Sequence, residues 1–144
     1  MDLLNQLSLA RARALFQQKY IPAKCLSTDA VGKCVYISGP DVAGTYQVST
    51  ADPLDGSSKM PAFGIIISKS SATECLVQVT GELKGLITSL VPGRVVFVAA
   101  DGSIPQTIPT APLSQLAYIQ SMGVALTSDV LLVMPDFSII KRQG

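Results

Sequence analysis

Asp29, Asp41, Asp101 and Asp129 are the residues best placed for proton chemistry, because the chain contains no histidine. Without imidazole, the commonest general base near neutral pH and the commonest metal ligand are both missing. Serine or cysteine nucleophiles of the histidine-assisted kind are excluded with it. Acid–base catalysis would need two of these aspartates brought together by folding, with their acidities pushed apart. Asp101-Gly102 and Ser128-Asp129 have the composition of turns. An enzyme, or a barrel that holds a small ligand, is therefore the least favoured reading, and no catalytic residue is assigned.

The remaining chemical motifs are incomplete. Asp52 and Asp55 with Gly56 echo a calcium loop but lack its third acid and closing glutamate. Residues 38–45, SGPDVAGT, contain glycine and threonine but not the lysine of a phosphate loop, and read as a hairpin turn. Cys25, Cys34 and Cys75 are odd in number and match neither a zinc spacing nor Cys-x-x-Cys, so they read as small apolar residues kept reduced. The segment PQTIPTAP carries Pro105, Pro109 and Pro112. It reads as an extended crossing whose prolines lower the cost of ordering it. No metal and no cofactor is expected.

What remains is apolar surface. The chain has 144 residues, 48% of them hydrophobic and only 15% charged. An ordinary globular chain is nearer a quarter charged, so part of this surface is expected to lie against neighbours. A net charge of +1 argues against a nucleic-acid footprint. No apolar run is long enough to span a bilayer, and Arg11 and Arg13 interrupt any signal-like stretch near the start. Neither nucleic acid nor membrane is expected as a partner.

Residues 2–20, DLLNQLSLARARALFQQKY, are rich in good helix formers, with Asp2 at the start and Pro22 just beyond the end. At roughly 100° per residue, Leu3, Leu7, Ala10 and Ala14 share one stripe, widened by Leu4 and Leu15. Leu9 and Phe16 lie almost opposite, so the helix could be gripped from two sides, by its own barrel and by another chain. The tail PDFSIIKRQG is apolar, then basic, and Phe137, Ile139 and Ile140 need cover, from the barrel or a neighbour. The candidate partner-binding residues are accordingly Leu3, Leu4, Leu7, Ala10, Arg11, Ala14, Leu15, Phe16, Phe137, Ile139 and Ile140.

From Cys25 onward, short β-branched and aromatic runs alternate with Gly, Pro, Asp and Ser clusters. Strands are predicted near 33–38, 45–50, 62–69, 74–80, 94–99, 116–120, 122–127 and 130–134. LKGLITSLVPG is the one later segment that suits a helical turn. Residues 32–37 match 93–98 as Gly, cation, small apolar, Val, aromatic, β-branched. Residues 63–68 match 122–127, and 75–79 match 130–134, in the same order. The runs GIIIS and DVLLVM are apolar on both faces and predict strands covered on both sides.

The expectation is an all-β body, a small barrel or sandwich built from two similar halves that cover each other, with one N-terminal α-helical arm. The arm spans 1–24 and the body 25–136. The halves lie at about 31–82 and 92–136, and the tail at 137–144.

Gly93 to Gly102 and residues 123–136, GVALTSDVLLVMPD, resemble capsid decoration (cement) proteins and related head or tail accessory proteins of tailed bacteriophages. The resemblance covers roughly residues 31–136 and rests on apolar strands and turns, without chemistry. It implies a virion structural protein made in the host cytoplasm and placed on the capsid surface. It also implies a homotrimer that binds the major capsid protein across subunit joints, and an N-terminal arm that reaches across the shell. A tail, neck or fibre-base protein is the alternative. The helical arm has no firm counterpart in that family.

Overall fold

Alternating apolar residues and glycine-marked turns produce an almost wholly β architecture. The computed structural model describes residues 19–54, 58–109 and 117–142. In chain order the strands are β1 (Tyr20–Lys24), β2 (Cys34–Val42), β3 (Thr45–Thr50), β4 (Gly64–Ser71), β5 (Glu74–Gln78) and β6 (Gly81–Lys84). They continue with β7 (Val95–Phe97), β8 (Ala117–Ile119), β9 (Ser121–Ala125), β10 (Val130–Val133) and β11 (Ile140–Arg142). β1-β3-β2-β4-β5 form a closed barrel, β6-β10-β9-β7 a four-stranded sheet, and β11-β8 a two-stranded ribbon.

Eight of these strands lie where alternation predicts them; β1, β6 and β11 do not. The predicted helix over 2–20 lies outside the described residues except for its last two, and Tyr20 begins a strand rather than ending a helix. The stretch assigned to the arm, 1–24, thus contributes β1 to the barrel. Pro22 is compatible with this. The Val79 N–H donates to the Lys19 carbonyl and the Cys25 N–H to Thr73. That phase turns the nitrogen of Pro22 away from β5, and pairing with β3 begins only at Ala23. A proline that owes no ladder bond is tolerated. Residues 85–93 hold turns and bends rather than the expected helical turn, and the helical element among the described residues is the 3-10 turn Ala100–Gly102.

The repeat read from the sequence recurs in the hydrogen bonding. Cys34 pairs with Ile65 and Val35 with Gly64; in the second half Val95 pairs with Val124 and Val96 with Gly123. The Gly32 N–H donates to Ile66 and the Gly93 N–H to Ala125, each at 2.7 Å. The Ile66 N–H donates to Lys33 and the Ala125 N–H to Arg94, each at 3.0 Å. Both strands enter through the same turn: Lys33 N–H to Ala30 O and Arg94 N–H to Val91 O, with Gly32 and Gly93 at φ 90° and 83°. A positive φ at the third turn position is why glycine stands there.

The third matched block is displaced by one position. Ile65 pairs with Gln78 and Val124 with Leu132, so Leu132 rather than Val133 is the counterpart of Gln78. Bulges after Ile66 and Lys69 lengthen the β4 arm of the β4–β5 hairpin. The repeat also starts earlier than its matched blocks. β1 runs antiparallel to β5 as β6 runs antiparallel to β10, so β6 belongs to the second half.

Among the described residues only the first half closes. Its interior holds Ala23, Val35, Val48, Ile66 and Val77 with Cys25 and Cys75. In the second half the chain leaving β7 turns back at Ala100–Gly102 and makes a short ladder, Phe97 N–H to Pro105 O and Ala99 N–H to Ser103 O. The inner face of this open sheet, with Leu83, Val96, Met122 and Leu131, packs on Cys34, Ala51, Ala62 and Ile65 of the barrel. Ile65 and Ile66 are both fully buried, one under the second sheet and one inside the barrel. This is the two-sided cover that the run GIIIS predicts. The Gln120 side chain locks the two halves: its Nε2 donates to Ala62 O (2.7 Å) and its Oε1 accepts from Ala62 N–H (2.9 Å).

Candidate partner-binding surface

The four aspartates that acid–base chemistry would need stand in separate turns. Asp29 is buried before β2 and accepts hydrogen bonds from Leu26 N–H, Ser49 Oγ, Thr50 N–H and Thr50 Oγ1. Asp41 accepts from Gly44 N–H in the β2–β3 turn, and Asp129 from Thr127 Oγ1 in the β9–β10 turn. Asp101 occupies the 3-10 turn at φ 61°. Among the described residues no group of three or more His, Cys, Asp or Glu side chains is placed to hold a metal ion. No helix among them is long and apolar enough to cross a membrane.

Burial holds two of the three thiols in the protonated form. Burial pushes the Cys34 thiol up to about 12. Burial, and then the neighbouring Cys25 thiol, push Cys75 up to about 12 as well. A thiol is nucleophilic only as its thiolate. Native protein at pH 8 is therefore expected to leave Cys34 and Cys75 unmodified by a maleimide reagent over a period in which denatured protein is fully labelled. Mass spectrometry of the two samples checks this, and rapid native labelling would contradict the burial.

The C-terminal segment does two things at once. Its backbone returns to the body, where Ile140 pairs with Ile119 across the β8–β11 ribbon. Its side chains stay out: Met134 is 59% exposed, Phe137 62% and Ile140 65%, while Ile139 is half-buried. Met134, Pro135 and Phe137 form one wall of a groove of about 310 Å³, whose other lining is Ile21, Phe63, Val79 and Thr80. Thr80 is the one polar residue among the described lining. The sequence pointed to Phe137 but not to Ile21, Phe63 or Val79, which reach the groove from β1 and from the two ends of the β4–β5 hairpin.

A larger cleft of about 680 Å³ runs beside β6, with Lys19, Tyr20, Gln78, Glu82 and Lys84 among its lining. The Gln78 amide is engaged internally, donating to the carbonyls of Thr80, Gly81 and Glu82 at 3.0–3.2 Å. Gln78 thereby ties the end of β5 to the chain entering β6. Glu82 pairs with Lys84 (3.4 Å) on the exposed side.

A second apolar surface lies on the outside of the open sheet. Val95, Val124 and Leu132 are cross-strand neighbours in one row that ends at Glu82. Val95 is 40% exposed, Val124 and Leu132 are half-buried, and none of the three belongs to either core. The run DVLLVM predicts cover on both faces, and the structure supplies it on one, where Leu131 and Val133 are fully buried.

Leu3, Leu4, Leu7, Ala10, Arg11, Ala14, Leu15 and Phe16 lie outside the described residues. Of the predicted partner-binding residues, the structure therefore places Phe137, Ile139 and Ile140, and brings Phe137 to an apolar groove. No family model matches the chain, and no curated protein is similar to it.

Proposed function

We propose that this protein is a virion structural component, a capsid decoration protein that binds the major capsid protein across subunit joints by apolar contact. The observation that carries this reading is the exposure of Phe137 in the wall of an apolar groove and of Ile140 on the β8–β11 ribbon, in a chain with only 15% charged residues. Burying side chains of this size contributes about 1.5–3 kcal/mol each before association costs. The low charge of the surface keeps the desolvation cost of such a contact small. The class of partner comes from the resemblance of residues 93–102 and 123–136 to phage decoration proteins. A homotrimer would engage several identical shell sites and gain by effective concentration, and its closed symmetry would prevent open-ended growth.

The test mixes purified protein with undecorated shells and compares it with Phe137→Ser/Ile140→Ser. Loss of both apolar contacts is expected to weaken binding more than about tenfold, since each tenfold corresponds to about 1.4 kcal/mol. The melting temperature should be almost unchanged, because both side chains are exposed in the free protein. Equal binding by the variant overturns the assignment of this surface. Imaging of labelled particles addresses the location. Density confined to one vertex or to the tail would favour a tail, neck or fibre-base protein instead.

A further inference from the structure

We propose that the outer face of the β6-β10-β9-β7 sheet is the seat of this chain's own N-terminal segment, with residues 3–16 lying across the strands. The inference does not depend on the capsid reading.

A sheet face that meets water ordinarily carries polar residues at alternate positions. Here the outward row is Val95, Val124 and Leu132, and charge stands only at its two edges, Glu82 and Lys84 on β6 and Arg94 just before β7. The repeat shows how the fold treats this wall. The corresponding row of the barrel is Cys34, Ile65 and Gln78, which is buried, with Cys34 and Ile65 packed beneath the second sheet. In the second half no described element covers the equivalent row.

The N-terminal segment arrives at this sheet. The Lys19 carbonyl accepts from Val79 N–H, and the Lys19 side chain lies over Gly81, the first residue of β6, where a Cβ would meet its Cε at 3.0 Å. Lys19 and Tyr20 share a cleft with Glu82 and Lys84. Gln17 and Gln18 then separate the end of the predicted helix from the β6 edge. A helix over 3–16 is about 21 Å long at 1.5 Å per residue. Four strands at about 4.8 Å spacing present about 14 Å between their outer axes, so the helix spans them all.

The chemistry matches in direction as well as length. With Phe16 near β6, Leu3 and Leu7 fall over the Val124 and Val95 end, and the small residues Ala10 and Ala14 fall near the edge. Asp2 then approaches Arg94, which is exposed beside Val95, and Arg11 approaches Glu82. Leu9 and Phe16 are left on the outward side of the helix.

The test uses the full chain with two introduced cysteines, in protein whose native thiols are buried. Leu7→Cys with Val95→Cys should cross-link within one chain. It should do so about fivefold more than Leu9→Cys with Val95→Cys, because Leu9 lies across a helix about 10 Å wide. Equal yields, or no cross-link in either pair, overturn the proposal. A cross-link formed only between two chains also overturns it and assigns the face to a second copy. As a check that leaves the sheet untouched, Leu3→Ser/Leu7→Ser should shift the methyl NMR signals of Val95 and Val124. Unmoved signals contradict the docking.

Discussion

Gly123→Ala is expected to prevent the second sheet from forming. Gly123 sits inside β9 at φ 144°, a conformation open in practice only to glycine. A Cβ at this position would overlap the carbonyl oxygen of Leu132 and stand 3.1 Å from the Met134 nitrogen. Both obstacles are backbone of the neighbouring strand, so relief requires breaking the β9–β10 ladder that holds Leu131 and Val133 in the core. Interference of this kind falls in the exceptional class above about 4 kcal/mol, against a total stability of about 5–15 kcal/mol. Denaturant unfolding of the variant should show a collapsed or missing transition. Gly85→Ala is the matched control. Gly85 also has positive φ, 78°, but a Cβ there meets nothing within 4 Å, so only the local backbone cost of about 1–2 kcal/mol is expected. Equal stability of the two variants would show that the close strand approach is not what selects glycine at 123.

Asp29→Ala should have the second largest effect. The Asp29 side chain is 3% exposed in its residue and is the hub that ties the loop before β2 to the end of β3. Its Oδ1 accepts from Thr50 Oγ1 (2.7 Å), Thr50 N–H (3.0 Å) and Ser49 Oγ (3.1 Å), and its Oδ2 accepts from Leu26 N–H (2.8 Å). Removing the carboxylate leaves those donors partnerless in a site with little room for water. Breaking a buried, charge-assisted set of this kind costs about 3–5 kcal/mol. Asp29→Asn should cost less. Its amide oxygen can serve the three donors at Oδ1, while its NH2 group faces the Leu26 N–H, donor against donor. The expected order of melting temperatures is native, Asn, then Ala. An alanine variant as stable as the native protein would mean that the loop finds other acceptors.

Strand existence and repeat order were readable because both depend on short-range patterns. Gly32-Lys33-Cys34-Val35 and Gly93-Arg94-Val95-Val96 specify the same turn and the same first strand, and the β2–β4 and β7–β9 registers agree residue for residue. β1 and β6 were not readable for opposite reasons. β1 follows a strong helical pattern and contains proline, while β6 offers a single inward apolar side chain, Leu83. The groove was half legible. Phe137 stood out as an apolar residue in a short tail, but its companions Ile21, Phe63 and Val79 carry no local mark of that role. Gln120 and Gln78 were equally silent, because an amide that replaces a strand in bonding backbone groups looks like any polar residue until its partners are placed.

By itself the sequence determined that this is a β protein of repeated units, that it lacks imidazole chemistry, and that its tail is apolar. Only tertiary structure decided that one half closes and the other does not. Closure rests on the parallel pairing of β3 with β1, between residues far apart in the chain. In the second half the early return at Ala100–Gly102 shortens the counterpart of β3, and the barrel wall takes its place over the open sheet. Periodicity is local and survives in any arrangement of the strands. Closure is a competition between distant surfaces for the same apolar face, and its outcome exists only once both are folded.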